Sequence, residues 1–552
     1  MPHPGVAICL FGSNVPALED LGIHMYTAKP ARPSALPSAL SPSPLHDRLQ
    51  SRPTRKAPSM DTQADVIVVG TGNAGFCAAH AAAQAGARVL MLEKGPAEAI
   101  GGNTYFTAGA IRTTYRDLGE LAELVVDDER HARTDIAPYT AADFIGDMER
   151  VTLGRCDPSL TRTMVHDIAN ALTWMRDLGI RFRLQYERQA YEVNGRHRFW
   201  GGLPLAVVDG GKGMVAQHRL IAAREGVDIR CSTAVDRLLR DADGRVVGVG
   251  AGEQEFYAEA VVLAAGGFQA NRLLRAQYLG PTWDLAKVRG TPHNTGAALL
   301  AALDAGAQPA GHWSGCHAVA WDANAPETGD FELTNRHTKQ SYPLSIVVNT
   351  EGRRFLDEGA ELRNYTYAKY GAQILLQPGA RAFQLFDAKT APLLREAEYQ
   401  VPGVTRYEAN SIAELAELAG IDVAGLTATV EGYNAATRPG HFDPSVKDGL
   451  GTDGLHPPKS NWALPLNEPP YLAFGVTCGI TFTFGGVKID DSGRVLDHES
   501  EAIPGLFAAG EMVGGLFYHN YPGGSGLSAG TVFGRKAGTE AARLASTLTP
   551  AT

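Results

Sequence analysis

The chain has 552 residues, of which 44% are hydrophobic and 20% charged, a balance that excludes wholesale disorder. Lysine and arginine number 50 against 60 aspartate and glutamate, a formal charge of −10, which argues against a nucleic-acid or anionic-membrane partner. The six cysteines stand singly, with no CxxC pair, so neither a metal or iron–sulfur framework nor a disulfide scaffold is expected.

In chain order, residues 1–60 hold ten of the 32 prolines. The stretch 31–44 (ARPSALPSALSPSP) has too little apolar surface to offset its ordering entropy, so 1–60 is expected to be a disordered tail, with Met60 a candidate start. The apolar run from Val6 to Phe11 lacks the basic flank of a signal peptide. No run approaches the ~18 apolar residues that a spanning helix needs. A cytoplasmic protein without an integral membrane segment is expected.

From Asp65 the pattern changes. Val66 to Val69 is a short β-branched run ending in glycine, residues 74–85 are a small-residue helix closed by Gly86, and residues 88–92 are a second strand followed by Glu93. Residues 260–264 (AVVLA) and 505–509 (GLFAA) are later buried strands that also stop at glycine. Residues 312–466 carry more aromatics and prolines, with helical periodicity at 412–419. The expected fold is α/β: a Rossmann-like nucleotide-binding domain split in sequence into 61–311 and 467–552, with an α+β capping domain inserted at 312–466.

The βαβ start holds Gly70-x-Gly72-x-x-Gly75. Gly70 suits the tight turn, Gly72 lets backbone approach a pyrophosphate, and Gly75 lets helix and strand pack closely. The helix N-terminus, with Asn73 and Ala74, adds free N–H groups and a positive dipole end. Glu93, 93 − 75 = 18 residues past the last glycine, stands with Lys94 where a carboxylate accepts hydrogen bonds from a ribose. Three further segments favour FAD over NAD. Gly101, Gly102, Asn103 and Thr104 can lie along a ribityl-pyrophosphate. Ala265 and Gly266 end a second strand near the adenosine. Gly510 and Glu511 precede a glycine-rich turn with Ser525, Gly526 and Leu527 that opens a helix toward the electron-rich edge of a flavin.

The strings GTGNAG, GGNTYFTAGAI, VVLAAGGF, RGTPHNTGAAL, CHAVAWD, IVVNTEGRRFLDEG and GLFAAGE…YPGGSGLSAGTVFGR resemble the flavoprotein family of fumarate reductases and succinate dehydrogenases. The likeness runs from about Asp65 to Ala541. RGTPHNTG, CHAVA and GITFT are most similar to tricarballylate dehydrogenases, and YPGG also resembles the 3-ketosteroid Δ1-dehydrogenases. The resemblance implies FAD-dependent hydride transfer at a substrate CH–CH or C=C bond, an active site beneath a mobile cap, and a small organic acid or ketone as substrate. A non-catalytic flavin-fold binding protein is the remaining alternative.

Carried over residue by residue, the resemblance places His317 on a substrate carboxylate. It places Arg363, just after RFLDEG, as acid/base or carboxylate clamp, with Tyr365 and Tyr367 as competitors. Where fumarate reductases have a substrate histidine and a substrate arginine, this chain has Phe482 and Tyr521. That loses one bidentate carboxylate contact and leaves Tyr521 a single hydrogen bond to give. Lys212, in a GGKG turn, reads as structural. Asn103 falls where membrane-bound relatives attach FAD through histidine, so noncovalent FAD is expected. With one fingerprint and no cysteine cluster, electrons are expected to pass through a separate acceptor or partner protein.

Overall fold

The structure, a computed structural model, describes residues 63–548. The expected tail at 1–60 and the candidate start Met60 lie outside the described residues. The fold is mixed α/β around two large sheets.

The first sheet is built on β-branched runs. Val66 to Val69 are all buried. Val66 and Val68 pack into one core with Phe76, Ala78 and Ala537, while Ile67 and Val69 face another with Leu90, Leu263 and Phe533. A strand with both faces covered reads as a continuous apolar run, and that is how this one reads. Five parallel strands lie in the order Ala502–Ala508, Gln254–Leu263, Gln63–Val69, Val89–Leu92 and Asp228–Arg230. Register aligns their ends: Val69 pairs with Leu263 and with Leu92, and Leu263 pairs with Ala508. Gly70, Glu93, Ala264 and Ala509 therefore emerge at one edge, the side where open α/β sheets bind ligands.

Two helices cover one face. Asn73–Gln84 follows the first strand, and Ser525–Leu548 lies across it. A Cβ on Gly75 would stand 2.1 Å from the Gly70 carbonyl, and one on Gly538 would stand 2.1 Å from the Ala78 carbonyl. Only hydrogen fits at either place, so strand, first helix and last helix meet backbone to backbone.

The second sheet centres on the 17-residue strand Tyr471–Val487, which pairs with Lys287–Val288, Pro309–Asp322, Ala382–Phe386 and Arg406–Ala409; Ile346–Asn349 pairs with Ala382–Phe386 at the edge. The helix expected at 412–419 is Ile412–Ala419, capped by the Ser411 hydroxyl, and packs with Val423–Ala436 on this sheet. The sheet draws strands from both sides of the expected boundaries at 311/312 and 466/467, because Pro309–Asp322 and Tyr471–Val487 pair along most of their length. Among the described residues the cysteines are unpaired, and no helix is long and apolar enough to cross a membrane.

Candidate active site

The aligned strand ends open onto one groove of about 1870 Å³, counting its mouth, which runs to the second sheet. Gly70, Gly72, Asn73 and Ala74 line it, as do Glu93, Lys94, Gly102, Asn103, Thr104, Ala265, Gly266, Gly510, Glu511, Gly526 and Leu527. Gly75, Gly101 and Ser525 do not. Gly75 lies under the turn, the Gly101 N–H is held by Thr71 Oγ1 at 3.0 Å, and the Ser525 hydroxyl is turned to the Pro522 carbonyl at 2.5 Å.

These residues fit a flavin dinucleotide. Helix Asn73–Gln84 has no cap from Gly72 and no acidic residue in its first turn; Thr104 Oγ1 takes the Asn73 N–H at 2.9 Å, and the next N–H groups are left for an anion. Glu93 accepts from Thr71 N at 3.2 Å, Thr71 Oγ1 at 2.5 Å and Gly95 N at 2.7 Å. Those bonds fix the carboxylate, and its remaining lone pairs can take hydroxyl donors. Glu511 is half-buried at the groove wall. Burial pushes it up to about 7, although the N–H groups of Thr483 and Gly267 and the Gln269 amide favour its charged form. Asn103 is fully committed, donating to Thr481 O at 2.6 Å and accepting from Thr291 N at 3.0 Å.

At the other end the wall changes character. Arg188, Arg289 and Arg363 line it with Gln185, Gln189, Asn335, Gln340 and Asn364, and among the described residues no acid lines that end. Arg289 is gripped by Asn335 Oδ1 (2.9 Å from Nε) and Thr481 Oγ1 (2.7 Å). Arg363 sits on a short turn, Arg363–Tyr365, ahead of helix Tyr367–Leu375. It donates to Gln340 Oε1 and to the Arg188 carbonyl at 3.0 Å, and lies over the Trp200 ring at 5.1 Å. It is 5% exposed, not the surface salt-bridge partner of Asp357, Glu358 or Glu361, and its Nε has no protein partner. Burial, reinforced by Arg395 and Arg188, pulls its pKa well below the usual guanidinium value. Behind the wall Glu398 binds Arg188 at 2.7 Å; burial alone would raise this carboxyl, yet Arg188, Arg395 and Arg363 hold it at about 2.

Tyr521 and Tyr367 close the gap between the two ends, hydroxyl to hydroxyl at 2.6 Å. Burial lifts both phenols above their usual value. The Tyr521 ring meets Phe482 edge-on at 5.2 Å, and the three rings enclose His317, which stacks on Phe482 at 5.3 Å and meets Tyr367 and Tyr521 edge-on at 5.0 and 4.9 Å. His317 therefore stands behind the groove wall and not on it. Strand register pairs it with Phe482, both ring nitrogens lack partners, and burial keeps the imidazole neutral. Lys212 is on the surface, donating to the Glu332 carbonyl at 3.1 Å.

Arg289 opens the RGTPHNTG string, the one mark in the sequence that points to it. Arg188 and the amides of residues 185, 189, 335, 340 and 364 carry no such mark. Arg112, fully buried, also lacks a local mark; its Nε donates to the Gly523 carbonyl at 2.8 Å and props the turn that opens the last helix.

Fold and groove together define a flavin-dependent oxidoreductase. The chain belongs to the FAD binding domain family, which matches residues 65–527. Fumarate reductase (cytochrome) of Shewanella frigidimarina is 30% identical over 484 residues, 87% of this chain and 77% of that one. The 3-oxosteroid 1-dehydrogenase of Mycobacterium tuberculosis is 26% identical over 551 residues, 84% of this chain and 95% of that one. Among solved structures, the open conformation of a flavocytochrome c3 fumarate reductase superposes with a TM-score of 0.64 at 29% identity, covering 88% of this chain and 78% of that one. The chain is an FAD-dependent oxidoreductase of the fumarate reductase and 3-oxosteroid dehydrogenase type, acting on CH–CH groups.

Proposed function

We propose that the substrate is a small organic acid with more than one carboxylate, of the tricarballylate kind, and that the enzyme forms or reduces its C–C double bond. One observation carries this: three guanidiniums and five side-chain amides line the substrate end, with no acid among the described residues there. Glu398, behind the wall, pairs with Arg188, but Arg289 and Arg363 are buried with no carboxylate in salt-bridge contact among the described residues, a costly arrangement unless an anion completes it. Steroid-sized apolar substrates have no use for that many polar groups.

Bound FAD supplies the two-electron carrier for such chemistry. The chain's residues do the rest. Arg289 and Arg188 hold carboxylates, and Tyr521 gives one hydrogen bond to a carboxylate or carbonyl oxygen. Arg363, anchored by Gln340 and the Arg188 carbonyl, exchanges a proton at the carbon next to the one that exchanges hydride. Its depressed pKa suits a group that must release a proton. In this reading the split nucleotide domain is Rossmann-like, residues 312–466 act as the cap, and electrons pass to a separate acceptor.

Anaerobic titration of the holoenzyme with tricarballylate, succinate and a 3-ketosteroid tests the substrate class. The carboxylates are expected to bleach the oxidised flavin. Bleaching by the ketosteroid alone would overturn it. The Tyr367–Tyr521 pair favours a second reading, a ketone-directed dehydrogenase in which one phenol donates to the carbonyl and the other takes the proton.

A further inference from the structure

Beneath the nucleotide end, away from the substrate, a buried polar chain runs from the surface to the groove floor. Glu225, beside helix Gly210–Arg224, meets His80 Nδ1 at 2.5 Å; its side chain is 17% exposed. His80 Nε2 meets His218 Nδ1 at 3.1 Å, and His218 Nε2 meets Asn73 Oδ1 at 3.2 Å. Both imidazoles are buried, stacked on each other and on Phe76. Asn73, in the first turn of the helix that follows Gly72, lines the groove.

Hydrogen-bond accounting fixes the direction of this chain. Asn73 Nδ2 stands 3.1 Å from the Leu527 carbonyl, which can only accept, and 2.9 Å from Thr531 Oγ1. Oδ1 is therefore the acceptor, and it takes the His218 Nε2–H. A neutral His218 then presents a lone pair at Nδ1, which accepts the His80 Nε2–H. The remaining proton sits between His80 Nδ1 and Glu225. Every donor is used once, and the outcome is an Asn73 amide held in one orientation, clamping the first helix to the last at the entrance of both.

We infer that His218 and His80 are positioning residues for FAD, holding the Asn73 amide in the orientation that clamps together the two helix starts lining the groove, and that the clamp opens in acid. A second proton in the pair would set N–H against N–H across 3.1 Å and place two imidazoliums side by side. The other groups near the pair are Glu225, the Cys77 thiol, whose Sγ is 3.6 Å from Asn73 Oδ1, and Arg535, which faces that thiol. Burial, then the neighbouring His80, puts His218 well below the ordinary 6.5. An imidazole neutral when folded and charged when unfolded contributes stability above 6.5 that is lost as pH falls.

The test is FAD affinity of the full chain, read by flavin fluorescence from about pH 7.5 down to about pH 4, a window that extends below the ordinary imidazole range because burial depresses His218. Wild type is expected to lose affinity toward acid, approaching tenfold per pH unit for a one-proton step. His218→Gln can still donate to Asn73 and accept from His80, so it should match wild type at neutral pH and lose the acid slope. His218→Leu should bind FAD about tenfold more weakly at neutral pH, the size of one lost hydrogen bond. Near-ultraviolet circular dichroism checks folding, and if His218→Leu fails to fold, the glutamine variant decides alone. A glutamine variant that keeps the full acid slope, or a folded leucine variant with wild-type affinity, overturns the inference.

Discussion

Glu511 gives the most quantitative prediction. Its carboxyl lines the groove wall against Gly267, Gln269 and Thr483, and burial raises it from 4.5 to about 7. A raised carboxyl binds its proton more tightly in the folded chain. Its contribution is therefore fully present below 4.5 and is lost as pH rises through 7. The difference of about 2.5 pH units corresponds to about 3 kcal/mol of apoprotein stability, lost between roughly pH 4.5 and roughly pH 7. Glu511→Gln removes the titration while keeping the shape. The new amide fits because Gln269 Oε1 has no partner and can turn to accept from it. Unfolding of FAD-free protein, wild type and variant, at about pH 5 and about pH 8 measures the effect. The variant should gain relative to wild type at the higher pH by about 3 kcal/mol and by much less at the lower. Parallel pH profiles for the two proteins would refute the burial argument.

Arg363→Gln should lower the rate of anaerobic flavin reduction by substrate about 100-fold or more with FAD content unchanged, the usual scale for a lost proton-transfer group; an unchanged rate would remove Arg363 from the chemistry. Gly75→Val places carbon 2.1 Å from the Gly70 carbonyl, so the purified variant should be colourless or insoluble, and a yellow, stable variant would contradict the packing. Acid precipitation should leave the flavin in the supernatant, because Asn103 spends both ends of its amide on Thr481 and Thr291; colour in the pellet would show a covalent link. Tyr521→Phe should weaken substrate binding or turnover by about tenfold, the scale of a single hydrogen bond, read as kcat/KM with the carboxylate that bleaches the flavin.

What the sequence revealed depended on range. The turn at Gly70, the helix at 412–419 and the strand ends at Gly70, Glu93 and Ala264 follow from local rules of glycine, β-branching and periodicity, and they appear in the fold as read. Glu93 and Glu511 were readable for the same reason: each follows a strand whose end the sequence marks. The substrate end was harder. Arg188 and Arg289 reach it from segments about 100 residues apart, and the amides beside them carry no local mark. His317 sits in a family motif, yet the pairing of two long strands puts Phe482 over it. Register across 165 residues of chain is a tertiary fact that no local pattern encodes. The buried pair His80 and His218 escaped notice because a histidine inside an apolar helix looks like any other core residue.

The strand arrangement bears on biosynthesis. The parallel sheet begins with residues 63–69 and gains an essential neighbour only at Ala502–Ala508, while the helix that covers it is Ser525–Leu548. The cradle for the coenzyme therefore cannot exist until Ser525–Leu548 has left the ribosome. Before that point the emerging chain has no complete seat for a vitamin-derived coenzyme, so scarcity of riboflavin would act on maturation of the site and not on synthesis of the chain.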